Sequence, residues 1–447
     1  MSIPRLLLAP THRTGLANAL AAALAEVLTA QGQRVRYHHA GPLGPVAAWD
    51  RWEGAVFLDP ALCSERTLLA LYEAATRGAD LSLLSSTVGL LDRQEGAWWV
   101  PADLARLLDC PVVAVLDCRD WGTGVRILAS GLKAHTTGLD LAGVVLAGVA
   151  DREHFLLLRR VLGEEGLKVV GCLFEGDGPG WNDSAPGAWG LPLDPALLEA
   201  VSRQVNVEGL VALAGRRGFL PAQGRLNDRS AGGPLVMVAA GKGFTPWSRD
   251  SVEVLRAAGA RVQRLDLLED EELPEETAGL ILAGTLWPEA VSDVALNRSL
   301  LSSIRRAVEE GLPTLALGGG MLLLLQRVQD TLGRTSEMAG LLSAEAEIVS
   351  DLEDTTYVEV VSDRENLLLA RGEEVTGWLL SEVELSGMGT DWDPLFVSRS
   401  AGATEGYPEG IGNETLVCSR LFLHLASTPE MAERFVEKCR ACAARRG

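Results

Sequence analysis

The sequence is short of positive charge. Its 447 residues include 40 lysines and arginines against 60 aspartates and glutamates, a formal net charge of −20. Nucleic acids and anionic membrane surfaces bind proteins through basic patches, so this balance argues against both as partners. The sequence also lacks an apolar run long enough to span a bilayer and the pattern of a secretory signal peptide.

Cysteine is sparse as well. The seven cysteines are odd in number and scattered, which is typical of reduced thiols and argues against a disulfide framework. We therefore predict a cytoplasmic location. Cys439 and Cys442 form a CxxC pair, but the second ligand pair of a structural zinc site is missing. A structural metal, a redox role and no special role are all left open for this pair.

What is present is a globular composition, 47% hydrophobic and 22% charged, in a chain long enough for two domains. Short apolar runs, such as residues 5–9 and 111–117, alternate with helical patterns, which indicates parallel sheets covered by helices. Residues 216–234 are polar and rich in glycine and proline. We predict an α/β fold with two domains, 1–215 and 235–447, each a mostly parallel sheet flanked by helices, joined by a linker at 216–234.

Several local elements follow from the pattern. Asp194 followed by Pro195 predicts the start of a helical stretch over 195–215. Residues 416–425 predict one strand, and 429–445 a terminal helix. Short alternating runs at 356–361 and 382–385 are typical of an antiparallel patch.

Residues 311–321 carry the main functional signal. They predict a buried strand over 313–317, a glycine hinge, and a helix that begins at Met321. Such a turn is how α/β proteins expose a nucleophile beside a helix N-terminus. The exposed position is Gly318, which has no side chain. The scaffold for nucleophilic catalysis therefore lacks the nucleophile.

The order of the segments resembles the cobyrinic acid a,c-diamide synthase family. Its members join a P-loop amide-ligase domain of dethiobiotin-synthetase type to a class I glutamine-amidotransferase domain. The landmarks stand in the family's order, among them Phe57-Leu58-Asp59-Pro60, Val88-Gly89-Leu90-Leu91-Asp92, Glu405-Gly406-Tyr407 and His424-Leu425-Ala426-Ser427. The resemblance implies those two folds in that order.

For the first domain, the resemblance implies phosphorylation of a carboxylate by ATP. That reaction needs a glycine-rich loop, a lysine on the phosphates and a hydroxyl on Mg²⁺. The matching segment, 9–19, has Ala17 at the lysine position and Asn18 at the threonine position. Thr11 and Gly15 are the other degenerate loop positions. The neighbouring His12 and Arg13 would supply positive charge, although a solvated turn is the preferred interpretation.

The positions that the resemblance implies for the metal ligands and for adenine binding are degenerate too. The family's two acidic positions fall at Leu43 and Ser85, and its adenine-side asparagine falls at Ala147. His154 is a histidine at a position where the family also has one. Asp92 and Asp117 remain, either as residual ligands or as caps. We therefore expect no metal and no cofactor, with ATP and Mg²⁺ only if the chain is catalytic.

In the second domain, the resemblance implies a histidine at Phe422 and another at Trp378. His424 lies two residues beyond Phe422, on the same face of the predicted strand. With no thiol at Gly318, His424 is predicted to be a packed or capped side chain. We therefore predict no catalytic residue here.

Three functions stay open. The first is a non-catalytic relative that acts as a partner subunit, with a protein partner or as a homodimer, or binds a corrinoid or other tetrapyrrole carboxylate. The second is a divergent ATP-dependent, glutamine-using amidoligase of cobalamin-type cofactor synthesis. The third is an interaction module whose acidic surface uses tryptophans in loops or at strand ends, such as Trp98, Trp121 and Trp378.

Overall fold

The structure is a computed structural model that describes residues 3–41, 57–93, 97–177, 193–217, 220, 226, 228–246, 250–349, 355–380, 383–387, 393–400 and 403–446. The chain divides into two compact units. Unit 1 comprises Met1–Pro60 and Glu65–Arg225, and unit 2 comprises Ala61–Ser64 and Leu226–Gly447. The division after Arg225 falls within the predicted linker. In the described ranges no helix has both the length and the apolar content needed to cross a bilayer.

Unit 1 alternates strands and helices, as the apolar runs predict. Its strands are β1 Arg5–Pro10, β2 Val35–Ala40, β3 Phe57–Leu58, β4 Leu81–Ser85, β5 Val112–Asp117, β6 Leu141–Val149 and β7 Val169–Phe174. Its helices are α1 Leu16–Ala30, α2 Glu65–Ala75, α3 Pro101–Leu107, α4 Val125–His135, α5 Arg152–Glu164, α6 Pro195–Gln204 and α7 Val207–Ala214.

These strands form one parallel sheet in the order β3-β2-β4-β1-β5-β6-β7. The central strands are apolar on both faces because helices cover both sides of a parallel sheet. α1 is buried along most of its length, and its small alanines let it pack closely in the core with α6 and α7. The carboxyl ends of β1, β4 and β5 meet at one edge, where the loop after β1 lies.

Unit 2 holds more and shorter strands. They are β8 Leu235–Ala239, β9 Phe244–Pro246, β10 Arg261–Leu265, β11 Thr277–Leu286, β12 Thr314–Gly318, β13 Leu325–Gln329, β14 Thr335–Glu337, β15 Leu342–Ile348, β16 Thr355–Ser362, β17 Glu374–Leu380, β18 Val383–Ser386, β19 Phe396–Ser400, β20 Tyr407–Glu409, β21 Ile411–Gly412, β22 Leu416–Ser419 and β23 Leu421–Phe422. Its helices are α8 Asp250–Ala258, α9 Val291–Leu296, α10 Arg298–Glu309, α11 Gly319–Leu324 and α12 Pro429–Arg446.

The main sheet of unit 2 has the order β10-β8-β11-β12-β22-β21, with β9 on β11. β10, β8, β11, β12 and β22 run parallel. A four-stranded sheet, β14-β13-β15-β18, and a five-stranded antiparallel sheet, β20-β19-β16-β17-β23, complete the unit. The α/β class is confirmed, and the antiparallel patch predicted around 356–361 belongs to the last of these sheets.

Two predicted elements were wrong in detail. The helical stretch over 195–215 is two helices, because Val205 is extended and forms a β-bridge to Gly171. Asp194 does cap the first of them, since its side chain accepts a hydrogen bond from the Ala196 N–H at 2.7 Å. The strand over 416–425 is also two strands, β22 and β23, which belong to different sheets.

Candidate functional site

The turn after β12 is the elbow that the glycine run predicted. Gly318 ends the strand with φ 59° and ψ −122° and caps α11. This conformation is disfavoured for residues with a Cβ atom. The helix begins at Gly319, not at Met321 as predicted, so Gly319 and Gly320 are its first residues and not a hinge.

Close packing against β11 explains why Gly319 and Gly320 are glycines. A Cβ on Gly319 would lie 2.2 Å from the Leu286 nitrogen, and one on Gly320 would lie 1.5 Å from the Leu282 carbonyl oxygen. Both distances are far below contact. The first turn of α11 can therefore approach β11 only without side chains at these two positions.

The two positions at which the resemblance implied histidines lie together. Trp378 on β17 is directly opposite Phe422 on β23, and their rings stack with centroids 4.7 Å apart at 29°. Tyr357 meets the Trp378 ring edge-on at 6.3 Å. Trp378 and Phe422 are 1% and 2% exposed. The prediction that Trp378 lies in a loop or at a strand end was wrong. It is a core residue inside β17.

The space beside Phe422 is too small for a ligand. A cavity lined by Phe422, Leu315 and Leu425, among other residues, measures about 10 Å³. That is room for about one water molecule. Aromatic and aliphatic packing fills this part of unit 2.

His424 lies beyond the end of β23, so the prediction that it shares a strand face with Phe422 was wrong. Its Nδ1 accepts a hydrogen bond from the Ala426 N–H at 3.0 Å, and its carbonyl oxygen accepts one from the Ser427 hydroxyl at 2.8 Å. These bonds hold the buried His424 side chain in a turn, as expected of a packed or capped side chain. The Cys63 sulfur, in the Ala61–Ser64 segment of unit 2, lies 3.4 Å from the same Nδ1. No local pattern in the sequence predicts that contact.

In unit 1, three backbone N–H groups at the loop after β1 donate hydrogen bonds to other atoms of the same unit. The Thr11 N–H donates to the Val115 carbonyl at 3.3 Å, and the Thr14 N–H donates to the Thr87 carbonyl at 3.0 Å. The Leu16 N–H donates to the Thr14 hydroxyl at 3.4 Å. A phosphate cradle needs such N–H groups directed at the ligand. Gly15 is the backbone cap of α1, and Ala17 is fully buried against the core.

Asn18 and Ser85 are hydrogen-bonded to each other. The Ser85 hydroxyl donates to Asn18 Oδ1 at 2.5 Å and shares a second hydrogen bond with the Tyr37 hydroxyl at 2.6 Å. All three side chains are buried. Burial raises the pKa of Tyr37, and its hydrogen bond with Ser85 opposes this only in part. Where the resemblance implied magnesium ligands, unit 1 has a neutral, buried network.

Asp117 is held by an arginine that the sequence analysis did not single out. Arg119 Nε donates to both carboxylate oxygens at 3.0 Å, and Arg119 Nη2 donates to Oδ2 at 2.5 Å. Burial raises the pKa of Asp117, but the hydrogen bonds and charge of Arg119, aided by His12, outweigh it and hold that pKa below its usual range. The spacing of two residues after a strand-terminal aspartate is the signal that could have predicted the pair.

The remaining sequence-predicted positions are placed as follows. Asp92 lies against Gly89, where a Cβ would be 2.2 Å from its Oδ2 and 2.9 Å from the His12 Cα. Ala147 is buried in β6, opposite Asp117. His154 accepts from the Ala150 N–H at 3.2 Å and donates to the Trp121 carbonyl at 2.6 Å, so both ring nitrogens bond to the backbone. Leu43 lies outside the described residues.

The described residues do not fit Mg-ATP well. The N–H groups of Thr11, Thr14 and Leu16 bond within the unit. Ala17 stands where the resemblance implied a lysine, and Asp117 is paired with Arg119. Within the described ranges no three histidine, cysteine or acidic side chains are grouped so as to hold a metal ion. Cys439 and Cys442 are buried free thiols on α12, and burial raises the pKa of Cys439.

Fold and site together define an α/β protein with a glutamine-amidotransferase-like second half whose elbow carries glycine. Comparison with known proteins agrees, since the family of CobB/CobQ-like glutamine amidotransferase domains matches residues 236–396.

Curated relatives extend the likeness to nearly the whole chain. The hydrogenobyrinate a,c-diamide synthase of Thermobifida fusca is 30% identical over 97% of this chain and 96% of its own. The cobyrinate a,c-diamide synthase of Caldanaerobacter subterraneus is 26% identical over 86% of each chain, and the hydrogenobyrinate a,c-diamide synthase of Streptomyces coelicolor is 27% identical over 98% of each. The chain belongs to this family of cobyrinate and hydrogenobyrinate a,c-diamide synthases.

Proposed function

We propose that this chain binds a corrinoid, or a related tetrapyrrole, through the carboxylates that its relatives amidate, and does not itself draw nitrogen from glutamine. Membership of the family supports the substrate class. The observation that carries the rest is Gly318 at the elbow. Release of ammonia from glutamine at an elbow needs a nucleophile that forms a covalent intermediate, and glycine has none.

Two further features support the proposal. The Trp378–Phe422 stack occupies positions at which the family would place histidines, and a proton cannot be moved by either ring. In unit 1 the buried Ser85 hydrogen bonds replace a carboxylate that would serve Mg²⁺. On this proposal the protein acts alone or as a partner subunit of an intact relative, without ATP or metal.

A second candidate is an ATP-dependent amidoligase, the activity in the names of the relatives. Near full-length similarity to those synthases favours it. Free ammonia would bypass the elbow, so Gly318 alone does not oppose this candidate. Ala17 at the implied lysine position does oppose it, because phosphoryl transfer depends on stabilising the charge of the transferred group. The N–H groups of Thr11, Thr14 and Leu16, which bond within unit 1, add to this.

One experiment separates the candidates. The purified protein is titrated with cobyrinate or hydrogenobyrinate and followed by absorbance, with a corrinoid whose a and c carboxylates are already amides as the matched control. The same mixtures then receive Mg-ATP with glutamine or ammonia, and the products are analysed by mass spectrometry.

The expected result is binding that prefers the free acid and no amide product. An amide formed with either nitrogen source would overturn the non-catalytic proposal and establish the second candidate. An equal response to acid and amide, or no binding, would refute corrinoid carboxylate recognition and leave a protein-interaction role. Adding an intact relative tests the partner-subunit form, since a rate increase is expected only if the two associate.

A further inference from the structure

Unit 2 has a cleft at the edge of its main sheet that is remote from the elbow. The cleft has a volume of about 660 Å³, and Leu235, Arg261 and Thr277, the first residues of β8, β10 and β11, line it. Gly284, near the other end of β11, pairs with Gly318. The two ends are about 23 Å apart at the usual rise of a strand. The cleft therefore lies outside the site described above.

Three arginines line this cleft, Arg261, Arg440 and Arg446, against two acidic residues, Glu275 and Glu276. The chain as a whole has a net charge of −20, so a lining with more basic than acidic groups differs from the rest of the molecule. Glu276 is engaged by Arg261, whose Nη2 donates to it at 2.7 Å. Arg446 lies 3.4 Å from Glu310, so Arg440 is the lining arginine that no carboxylate of the described residues engages. Its charge favours a negatively charged ligand.

The arginines are anchored in place. Arg261 Nε donates to the Gly233 carbonyl at 2.9 Å, and Arg440 Nη2 donates to the Ala258 carbonyl at 2.7 Å. A Cβ on Gly259 would lie 2.5 Å from that Arg440 nitrogen, so the guanidinium rests on bare backbone. A guanidinium carries five N–H donors, so these bonds leave donors available to a ligand.

Thr277 supplies an independent observation. Thr277 is one of the residues that line the cleft, it is 2% exposed, and its buried hydroxyl has no hydrogen-bond partner among the residues that the structure describes. The Thr277 carbonyl accepts a hydrogen bond from Arg446 Nη1 at 3.0 Å, and Arg446 Nη2 lies 3.4 Å from Glu310. A buried hydroxyl is normally bonded, so this one indicates a missing acceptor.

We propose that this cleft is a binding site for a small organic anion with a carboxylate or phosphate group. Arg440 and Arg446 provide charged donors for the anionic group, and the Thr277 hydroxyl donates a further hydrogen bond. The volume suits a small molecule. Glu275, at the exposed rim, disfavours further negative charge on that side of the ligand.

The test uses the full chain and two probes, inorganic phosphate and citrate, titrated by calorimetry at constant ionic strength. Arg440→Gln removes a charged donor, and Arg445→Gln, on the same helix but outside the cleft, is its matched control. Thr277→Val removes the hydroxyl with little change of shape. Because that hydroxyl has no partner in the described structure, the valine variant should melt at or above the wild-type temperature.

We expect at least one probe to bind, with affinity about tenfold weaker or more in Arg440→Gln, about tenfold weaker in Thr277→Val, and unchanged in Arg445→Gln. Binding of phosphate alone would assign a phosphate-bearing ligand, and binding of citrate alone a carboxylate. Binding of neither probe, or equal losses in Arg440→Gln and Arg445→Gln, would overturn the proposal. None of these outcomes depends on corrinoid binding.

Discussion

Phe422→Ala tests whether this part of unit 2 is a packed core where relatives would place catalytic groups. Phe422 is 2% exposed and stacks on Trp378 with ring centroids 4.7 Å apart. Truncating a buried phenylalanine typically costs about 3–5 kcal/mol, because the cavity refills only in part. Of this, about 0.5–1.5 kcal/mol is the aromatic pair itself. We therefore expect Phe422→Ala to lower the free energy of unfolding by about 3–5 kcal/mol.

The measurement is the free energy of unfolding from guanidinium denaturation, followed by circular dichroism. Phe422→Leu is the matched control, since it keeps most of the side-chain volume and loses the stack. We expect it to lower the free energy of unfolding by about 1–2 kcal/mol. Trp378→Leu completes a double-mutant cycle. The coupling between the two positions should be about 0.5–1.5 kcal/mol.

A cost below about 1 kcal/mol for Phe422→Ala would refute the reasoning, since it would mean that the site tolerates an empty space where packing was inferred. A coupling near zero would refute the stack as a source of stability while leaving the burial argument intact. Only the first result, a low cost for Phe422→Ala, would favour a pocket that a ligand normally fills.

Three further predictions concern the other positions. Gly318→Ala should lower the free energy of unfolding by about 1–3 kcal/mol, because its φ of 59° and ψ of −122° strain a residue with a Cβ atom. Ser85→Ala should lower it by about 1–3 kcal/mol, since two buried hydrogen bonds are lost. Arg119 holds the pKa of Asp117 below its usual range, so this carboxylate stabilises the fold above the ordinary carboxyl pKa, and the effect is lost as pH falls. The stability difference between wild type and Asp117→Asn, measured by denaturation at several pH values, should therefore shrink below about pH 4.

Each of these has a control or a contrary outcome. Gly131→Ala, inside α4 with open space at its Cβ, should instead stabilise by about 0.5–1 kcal/mol, and equal effects at both glycines would contradict the conformational argument at Gly318. An unchanged stability in Ser85→Ala would mean that water replaces the hydroxyl. A difference at Asp117 that stays constant from neutral to acid pH would exclude the ion pair as its source.

Local pattern was enough for much of the fold. The buried strands and their helices follow from apolar runs, as at β5 and β12, because a strand covered on both faces must be apolar throughout. The errors came where tertiary context overrode pattern. Val205 bridges to Gly171 and divides a helical stretch, and Arg420 stands where one apolar run changes from β22 to β23.

The sequence by itself also determined which groups are missing, since Gly318 and Ala17 have no reactive atoms in any fold. Only the tertiary structure decided what stands in their place. The Trp378–Phe422 stack, the Asn18–Ser85 hydrogen bond and the arginine-lined cleft each join residues far apart in the chain. Hydrophobic periodicity reports the neighbours of a residue along the chain, whereas these contacts depend on strand order and register, which no single segment specifies.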